Sequence, residues 1–320
     1  MTAPVLEVRD LTTEYRMKAG IVRSVNGVSF SLGAGEILGL VGESGSGKSV
    51  TGLSIMGLIE PPGRVAGGSI RLQGEELVGL PEARMREHRG RRVSMVFQDP
   101  MTTLNPVITI GGQFHEALRA HRRIGRREAD DVAERALAQV GIPSPRQRLS
   151  AYPHELSGGM RQRVGIAIAL AHDPAVVIAD EPTTALDVTV QSQILHLVQA
   201  LVRDRGTAMV WVTHDLSVVA GLCDRIAVMY AGRIVEIGAA RDVLTAPRHP
   251  YTRGLIASIP GDAEPGSRLV QIPGLPPSPL SLPEGCSFAP RCTRATAACR
   301  DVPVFAEHRP GHAVRCHHSG

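Results

Sequence analysis

Apolar and polar positions alternate along the first 35 residues with the two-residue period of half-buried strands. The alternation is clearest in Leu6–Val8, Ile21–Val25 and Val28–Leu32, and turn signals containing glycine separate these segments. Ser69–Leu72 resumes the same pattern. We therefore predict a small antiparallel sheet, with Tyr15 lying between two of its strands.

Continuous apolar runs come next, and their lack of alternation indicates strands that are buried on both faces. The runs are Ile37–Val41, Arg92–Phe97, Val176–Ala179 and Met209–Thr213. Buried strands of this kind, separated by helical segments, predict an α/β core.

Helical spacing of apolar residues fills the intervals between these runs. It predicts helices over Val50–Ile59, Glu128–Val140 and Thr189–Arg205, and another from Ser157 to Asp173. The apolar stripe of the helix at 189–205 consists of Val190, Ile194, Leu197, Val198 and Leu201. Residues 101–172 are mostly helical in pattern, and we expect them to form a helical insertion in the α/β core.

Residues 42–49 carry the strongest chemical signal. They fit G-x-x-x-x-G-K-S/T at every fixed position, between a predicted strand and a predicted helix. The eight residues are Gly42-Glu43-Ser44-Gly45-Ser46-Gly47-Lys48-Ser49. Such a loop turns consecutive N–H groups inward to hold phosphate, while the lysine reaches the outer phosphates and the serine holds Mg²⁺. Only Lys18 and Lys48 are lysines among 35 basic residues, which favours this interpretation over a plain glycine- and serine-rich turn.

Polar side chains follow three other buried runs. Gln98 comes after the second run, Asp180 and Glu181 after the third, and His214 after the fourth. Residues at the carboxyl edge of an α/β sheet are placed to reach a ligand. Asp180 is suited to complete a Mg²⁺ shell, and Glu181 to deprotonate a water molecule. Solvated acids and a structural histidine are the alternative interpretations.

Ser157-Gly158-Gly159 opens a predicted helix, and Asp187 precedes another. Ser157 is a natural N-cap, and a helix N-terminus of this kind can bind an anion. Taken alone, the segment indicates only a capped helix.

Composition narrows the classes of protein. The 320 residues are 43% hydrophobic and 21% charged, which is ordinary for a globular protein of about two domains. A net charge of +4 and an aromatic content of 3% do not favour nucleic-acid binding. We find neither an apolar stretch of membrane-spanning length nor a secretory signal, so we expect a cytoplasmic protein whose cysteines are reduced or hold a metal.

The C-terminal part is rich in proline from Ala246 to Pro283 and is expected to be an extended connector without regular structure. Four of the five cysteines follow it, in the pattern C-x5-C-x6-C-x16-C, at Cys286, Cys292, Cys299 and Cys316. Disulfides, a zinc site and an iron–sulfur cluster are the three possible ways to stabilise so short a tail. His312, His317 and His318 are candidate replacements for a thiolate in a zinc site.

The order of the phosphate loop, Gln98, Leu-Ser-Gly-Gly at 156–159, Asp180-Glu181 and His214 resembles that of the ATP-binding cassette (ABC) ATPases over residues 5–245. Longer stretches resemble the ATPase subunit of bacterial dipeptide and oligopeptide importers. The ATPases of nickel importers share much of the same sequence in these stretches. These stretches are residues 98–106, 152–163, 180–188 and 249–253.

The resemblance implies a RecA-like P-loop ATPase core with an antiparallel β subdomain and a helical subdomain. We expect an ATPase domain at 1–245, with its helical subdomain at about 101–172. A connector at 246–285 and a cysteine-rich extension at 286–320 would follow. A soluble ABC ATPase without a transport role is a weaker alternative, because such proteins usually carry two cassettes or long insertions.

The resemblance also implies roles in binding ATP. Residues 42–49 would bind its phosphates, and Tyr15 would stack on adenine. Ser49, Gln98 and Asp180 would hold Mg²⁺. Glu181 would be the general base, with His214, Gln98 and Lys48 as the other catalytic residues.

A partner cassette completes each site in this family. Ser157, Gly158 and Gly159 would accordingly act on ATP bound by the partner, and Asp187 would lie at that interface. The implied partners are two transmembrane permease subunits and a second, related ATPase, with a homodimer as the alternative; a solute-binding protein takes part indirectly. The chain would lie peripherally on the cytoplasmic face of the inner membrane.

The stretch Gly285-Cys-Ser-Phe-Ala-Pro-Arg-Cys292 resembles one that importers of this type carry in the same region. It implies a 4Fe–4S cluster with a structural role, held by the four C-terminal cysteines. Zinc remains the alternative.

Overall fold

The computed structural model describes residues 3–99, 103–184, 186–259 and 271–319. Twelve strands occur among them. They are β1 (Leu6–Met17), β2 (Gly20–Leu32), β3 (Ile37–Val41), β4 (Gly63–Leu72), β5 (Glu75–Glu76), β6 (Val93–Val96), β7 (Val176–Asp180), β8 (Ala208–Thr213), β9 (Arg225–Tyr230), β10 (Arg233–Ala239), β11 (Ala306–Arg309) and β12 (His312–Val314).

The same residues form ten α-helices. These are α1 (Lys48–Ile55), α2 (Glu82–His88), α3 (Ile110–Arg119), α4 (Arg126–Gln139), α5 (Pro145–Arg148), α6 (Gly158–Ala169), α7 (Val188–Arg205), α8 (Leu216–Leu222), α9 (Ala240–Thr245) and α10 (Pro250–Ala257). Short 3₁₀ turns occur at Pro153–Glu155, Ala289–Arg291 and Ala297–Arg300. No helix in these four ranges is both long and apolar enough to cross a bilayer.

The chain divides into two compact units. One, the helical unit, comprises Met1–Val5, Gly33–Glu36 and Gly79–Val210. The other, the phosphate-loop unit, comprises Leu6–Leu32, Ile37–Val78 and Trp211–Gly320. The division falls within β8, and each unit has its own paired strands.

In the phosphate-loop unit, β1, β2, β4 and β5 form an antiparallel sheet in the order β2-β1-β4-β5, as predicted. Leu6, Val8 and Leu11 of β1 are fully buried in its apolar face. Tyr15 lies within β1 rather than between strands. Register shifts after Val8 and Leu11 let β1 continue past the point where the simple alternation stops.

The second group of strands in this unit has the order β11-β12-β10-β9-β3. β3 is buried along its whole length and pairs in parallel with β9. The helix that follows, α1, ends at Ile55, four residues before its predicted end. Gly57 takes a φ of 62°, the left-handed conformation that commonly terminates a helix.

In the helical unit, β6 and β7 pair in parallel, with Val93 opposite Val176. Helices α3 to α6 lie in the predicted helical segment, and α4 packs against α3 and α6. In α7, Ile194, Val198 and Val202 are the buried residues. Ile194 and Val198 belong to the predicted stripe, whereas Val202 is buried in place of Leu201.

One expectation for the C-terminal part is wrong. The proline-rich stretch contains α10, although we predicted no regular structure there. Pro250 occupies the first turn of this helix, where no N–H partner is required, and the His249 side chain accepts a hydrogen bond from the Tyr251 N–H as an N-cap.

Candidate functional site

The phosphate loop connects β3 to α1, and two of its glycines are sterically required. A Cβ atom on Gly42 would lie 2.2 Å from the Met229 carbonyl oxygen, and one on Gly47 would lie 2.2 Å from the Ser24 carbonyl oxygen. Both residues also have positive φ values, of 152° and 104°. The loop can therefore take its path only with glycine at these positions.

Two polar side chains lie buried inside the loop. The Lys48 side chain is buried, and its Nζ donates to the carbonyl oxygens of Gly42 at 2.8 Å and Glu43 at 3.0 Å. The buried Ser46 hydroxyl has no hydrogen-bond partner among the residues that the structure describes. A buried polar atom of this kind is costly unless a ligand or water completes it.

Two residues that sequence reasoning missed hold the loop from outside. The Glu43 N–H donates to the Tyr251 hydroxyl at 2.8 Å, and Arg291 pairs with the Glu43 carboxylate at 2.7 Å. Both lie in stretches singled out for the resemblance, 249–253 and 285–292. Nothing in the local pattern of either stretch indicates contact with residues more than 200 positions earlier.

In the helical unit, the structure brings Gln98 and Glu181 together. The Gln98 Nε2 lies 3.3 Å from the Glu181 Oε2, which also accepts a hydrogen bond from the Thr184 hydroxyl at 3.1 Å. Asp180, at the end of β7, is buried. Glu181 has a φ of 45°, a left-handed conformation that is uncommon for a glutamate and is typical of functional positions.

The helix that begins with the Ser-Gly-Gly segment and the helix that begins after Asp187 approach each other within the helical unit. Ser157 caps α6 by accepting from the Met160 N–H at 3.3 Å, and Asp187 caps α7 by accepting from the Val190 N–H at 2.9 Å. A Cβ atom on Gly159 would lie 2.6 Å from a Val190 methyl group. The glycine therefore lets the two helix starts approach closely.

Tyr15 and His214 belong to the phosphate-loop unit. The Tyr15 ring covers the backbone of Gly63, where an added Cβ atom would lie 2.5 Å from the ring. His214 is exposed immediately after β8.

The four C-terminal cysteines lie near one another. Cys299 is buried and the other three are half-buried, and the Cys286 N–H donates to the Cys299 carbonyl oxygen at 2.9 Å. Burial raises the pKa of the Cys286 thiol, and burial together with the three other cysteines raises the pKa of Cys316. All four thiols are free.

The side chains in this region are nevertheless not arranged as a metal site. In the described part of the chain, no group of three or more His, Cys, Asp or Glu residues is positioned to hold a metal ion. The His312 Nε2 lies 2.8 Å from the buried Glu236 carboxylate, and the His317 Nε2 lies 3.1 Å from the Asp301 carbonyl oxygen. The 4Fe–4S cluster implied by the resemblance therefore has no support beyond the proximity of four thiols.

Comparisons with known proteins identify the family of the chain. A family model described as ABC transporter matches residues 25–184, and one described as the C-terminal region of oligopeptide/dipeptide transporters matches residues 235–299. The oligopeptide transport ATP-binding protein OppD of Escherichia coli strain K12 is 50% identical over 98% of this chain and 92% of its own length.

A probable peptide ABC transporter ATP-binding protein of Sinorhizobium fredii is 51% identical, covering 98% of this chain and 94% of that protein. Among solved structures, a dimeric bacterial ABC transporter cassette matches with a TM-score of 0.66 and 27% identity, over 74% of this chain and 99% of that one. The predicted α/β fold and the predicted ATPase class are thus confirmed, and the chain belongs to the ABC transporter ATPases, among the ATP-binding proteins of oligopeptide and dipeptide transporters.

Proposed function

We propose that this ATPase energises the import of dipeptides or oligopeptides. One observation carries the proposal: about half of all residues are identical, over nearly the full length, to proteins named for oligopeptide transport. The match includes the C-terminal region, whose family model is described by the same substrates. The match in this region favours a peptide substrate over nickel, and it favours a role in transport over that of a soluble ATPase.

The phosphate loop is proposed to bind the triphosphate. The backbone N–H groups of residues 42–47 that neither the Tyr251 hydroxyl nor the loop itself engages would face the phosphates, and Lys48 supplies a compact positive charge. Tyr15 presents its ring to adenine. Mg²⁺ would be held by Ser49, Gln98 and Asp180. When bound, it neutralises charge that develops on the phosphate oxygens.

Glu181 is the proposed general base. It accepts a proton from the water molecule whose oxygen forms a bond to the γ-phosphorus, while the bond from that phosphorus to the β–γ bridging oxygen breaks. ADP is the leaving group, and the γ-phosphoryl group with the water oxygen becomes inorganic phosphate. Gln98 lies next to Glu181 and is proposed to orient the same water molecule. His214 is proposed to donate a hydrogen bond to the γ-phosphate.

Coupling to transport is proposed to pass through a pair of cassettes. Ser157, Gly158, Gly159 and Asp187 would contact ATP held by a second cassette, in a heterodimer or a homodimer. ATP then binds the closed pair more tightly than the open one, and hydrolysis reverses this preference. Two permease subunits would follow the movement, with this chain peripheral at the cytoplasmic face of the inner membrane and a solute-binding protein acting outside.

The four C-terminal cysteines are proposed to hold a 4Fe–4S cluster, with zinc as the alternative. The proposal rests on the chemistry of four free thiols in one short extension, a donor type that suits either metal, and binding would require these side chains to turn from the positions described above. Anaerobically purified protein should then show broad absorption near 400 nm and about four iron atoms per chain. One zinc per chain without that absorption would select zinc, and the absence of both metals would remove the site.

Transport itself provides the test of function. The chain, its partner ATPase and its permeases would be reconstituted in vesicles, and ATP-dependent uptake of a labelled tripeptide would be compared with that of nickel. We expect peptide uptake and no nickel uptake. Uptake of nickel alone would replace the proposed substrate, and ATP hydrolysis that neither solute stimulates would argue against the transport role.

A further inference from the structure

The cysteine-rich extension packs against the part of the phosphate-loop unit that supports the phosphate loop. Phe288 is only 4% exposed, and its ring centroid lies 5.3 Å from that of Tyr230 and 5.4 Å from that of Tyr251. Tyr230 and Tyr251 also contact each other, at 4.6 Å between ring centroids. These three rings form an aromatic cluster, and the Arg291 guanidinium lies over two of them, 5.8 Å from the centroid of Tyr230 and 6.0 Å from that of Phe288.

Arg291 connects this aromatic cluster to the phosphate loop. Its two terminal nitrogens reach the two carboxylate oxygens of Glu43, Nη1 at 2.7 Å and Nη2 at 3.0 Å. The Nη1 atom also donates to the Tyr230 hydroxyl at 3.3 Å, and the Nε donates to the Pro273 carbonyl oxygen at 2.9 Å. The Arg291 side chain is 5% exposed and the Glu43 side chain 28%, so the pair is shielded from solvent at its arginine end, and its two-point geometry fixes the relative orientation of the two groups.

Three hydrogen-bonding groups of Glu43 are therefore held by other residues. Its N–H is held by the Tyr251 hydroxyl, its side chain by Arg291, and its carbonyl oxygen by Lys48 Nζ. Lys48 is the residue expected to move onto the phosphates. The position of Glu43 therefore affects both the path of the loop and the resting position of its lysine.

We propose that Arg291 is a positioning residue for the phosphate loop, through which the cysteine-rich extension sets the affinity for nucleotide. The inference rests on the proposed nucleotide site but requires no metal. A merely structural ion pair would dock the extension and leave nucleotide affinity unchanged. A positioning pair changes the affinity even when the protein remains folded.

The experiment titrates MgADP into the full-length chain by calorimetry, since ADP is not hydrolysed. Wild type, Arg291→Gln, Arg291→Lys and Glu43→Gln are compared. We expect a dissociation constant roughly tenfold higher for Arg291→Gln and Glu43→Gln, because a displaced loop would lose the equivalent of about one hydrogen bond to the nucleotide. Arg291→Lys should also bind more weakly, since an ammonium cannot form the two-point pair.

Arg315→Gln is the matched control. Arg315 is a half-buried arginine of the same extension that donates to the carbonyl oxygens of Ile234 and Pro303 and not to the phosphate loop. We expect its MgADP affinity to equal that of wild type. An equal loss in this variant would show that any damage to the extension suffices, and would overturn the role of Arg291.

The double variant Glu43→Gln/Arg291→Gln decides whether the two residues act together. Its loss of affinity should be no larger than that of either single variant. Additive losses, or wild-type affinity in the folded Arg291→Gln variant, would overturn the proposal. If wild type itself binds no MgADP, the nucleotide site fails first, so the two failures are distinguishable.

Discussion

The Gln98 Nε2 atom lies 3.3 Å from the Glu181 Oε2 atom. The two residues follow β6 and β7, whose parallel pairing brings their carboxyl ends to one edge. The amide and the carboxylate can thus act on one water molecule, which supports Glu181 as the base.

Replacing Glu181 with glutamine should remove the base and keep the shape of the side chain. We expect ATP hydrolysis to fall by roughly 100-fold or more, the scale of general-base catalysis, while ATP binding persists. Steady-state phosphate release and equilibrium ATP binding would be measured together. Glu128→Gln, a change at an exposed carboxylate of α4, should hydrolyse ATP normally. Undiminished hydrolysis by Glu181→Gln would reject the assignment.

Gly159 and Gly165 of α6 form a matched pair for testing the close helix approach. An added Cβ atom would lie 2.6 Å from Val190 at Gly159, whereas no atom lies within 4 Å at Gly165. Gly165→Ala should stabilise the protein by about 0.5–1 kcal/mol through helix propensity, and Gly159→Ala should destabilise it by about 1–3 kcal/mol through overpacking. Urea unfolding measures both changes. Val190→Ala should restore stability to Gly159→Ala, and no restoration would contradict the contact.

His249 should make stability depend on pH. Burial lowers the pKa of its imidazole to about 3, against an ordinary value of 6.5. Below pH 6.5 the unfolded chain takes up a proton that the folded chain does not, so stability falls as pH falls from 6.5 towards 3. The expected loss at pH 5 is about 2 kcal/mol.

The measurement is the free energy of unfolding in urea at pH 7.5 and pH 5, for wild type and His249→Asn. Asparagine can still accept from the Tyr251 N–H as an N-cap, but it does not titrate. The variant should therefore lose less stability than wild type on acidification. An equal loss in both proteins would assign the effect to other groups.

Removing one cysteine should affect both metal content and nucleotide binding. Cys292 is one of the four proposed metal ligands, so Cys292→Ser is expected to lower bound iron or zinc. Because Cys292 also adjoins Arg291, the change should weaken MgADP binding in the wild-type background. In the Arg291→Gln background it should weaken binding no further. Elemental analysis and calorimetry are the two readouts, and Cys223→Ser, at a buried cysteine outside the extension, should keep its metal. Unchanged metal content in Cys292→Ser would contradict the proposed cysteine site.

Sequence alone was sufficient where one local segment specifies both conformation and chemistry. The phosphate loop is such a case, because its glycines, its lysine and the flanking strand and helix are contiguous. The cap formed by Ser157 was predicted for the same reason. Residue-by-residue roles in catalysis remain predictions, as do the domain boundaries.

Sequence was insufficient where distant segments meet. Glu43 and Arg291 are 248 positions apart, and neither lies in a pattern that requires the other. Helix α10 was missed because several prolines dominate its surroundings, although proline at a first turn permits a helix. Tyr15 was misplaced because bulges in β1 interrupt the alternation on which the prediction depended.

The last strand of the chain also limits how far the protein can be shortened. β12 pairs with β10 through Glu236 opposite Val314 and Ile237 opposite Ala313, and His312 reaches the fully buried Glu236. A chain truncated after residue 285 would keep the pairing of β10 with β9 but leave the other edge of β10 open, and Glu236 would lose its contact with the His312 imidazole. Open edges of this kind recruit other chains, so a minimal cassette made in this way should aggregate instead of yielding a smaller ATPase.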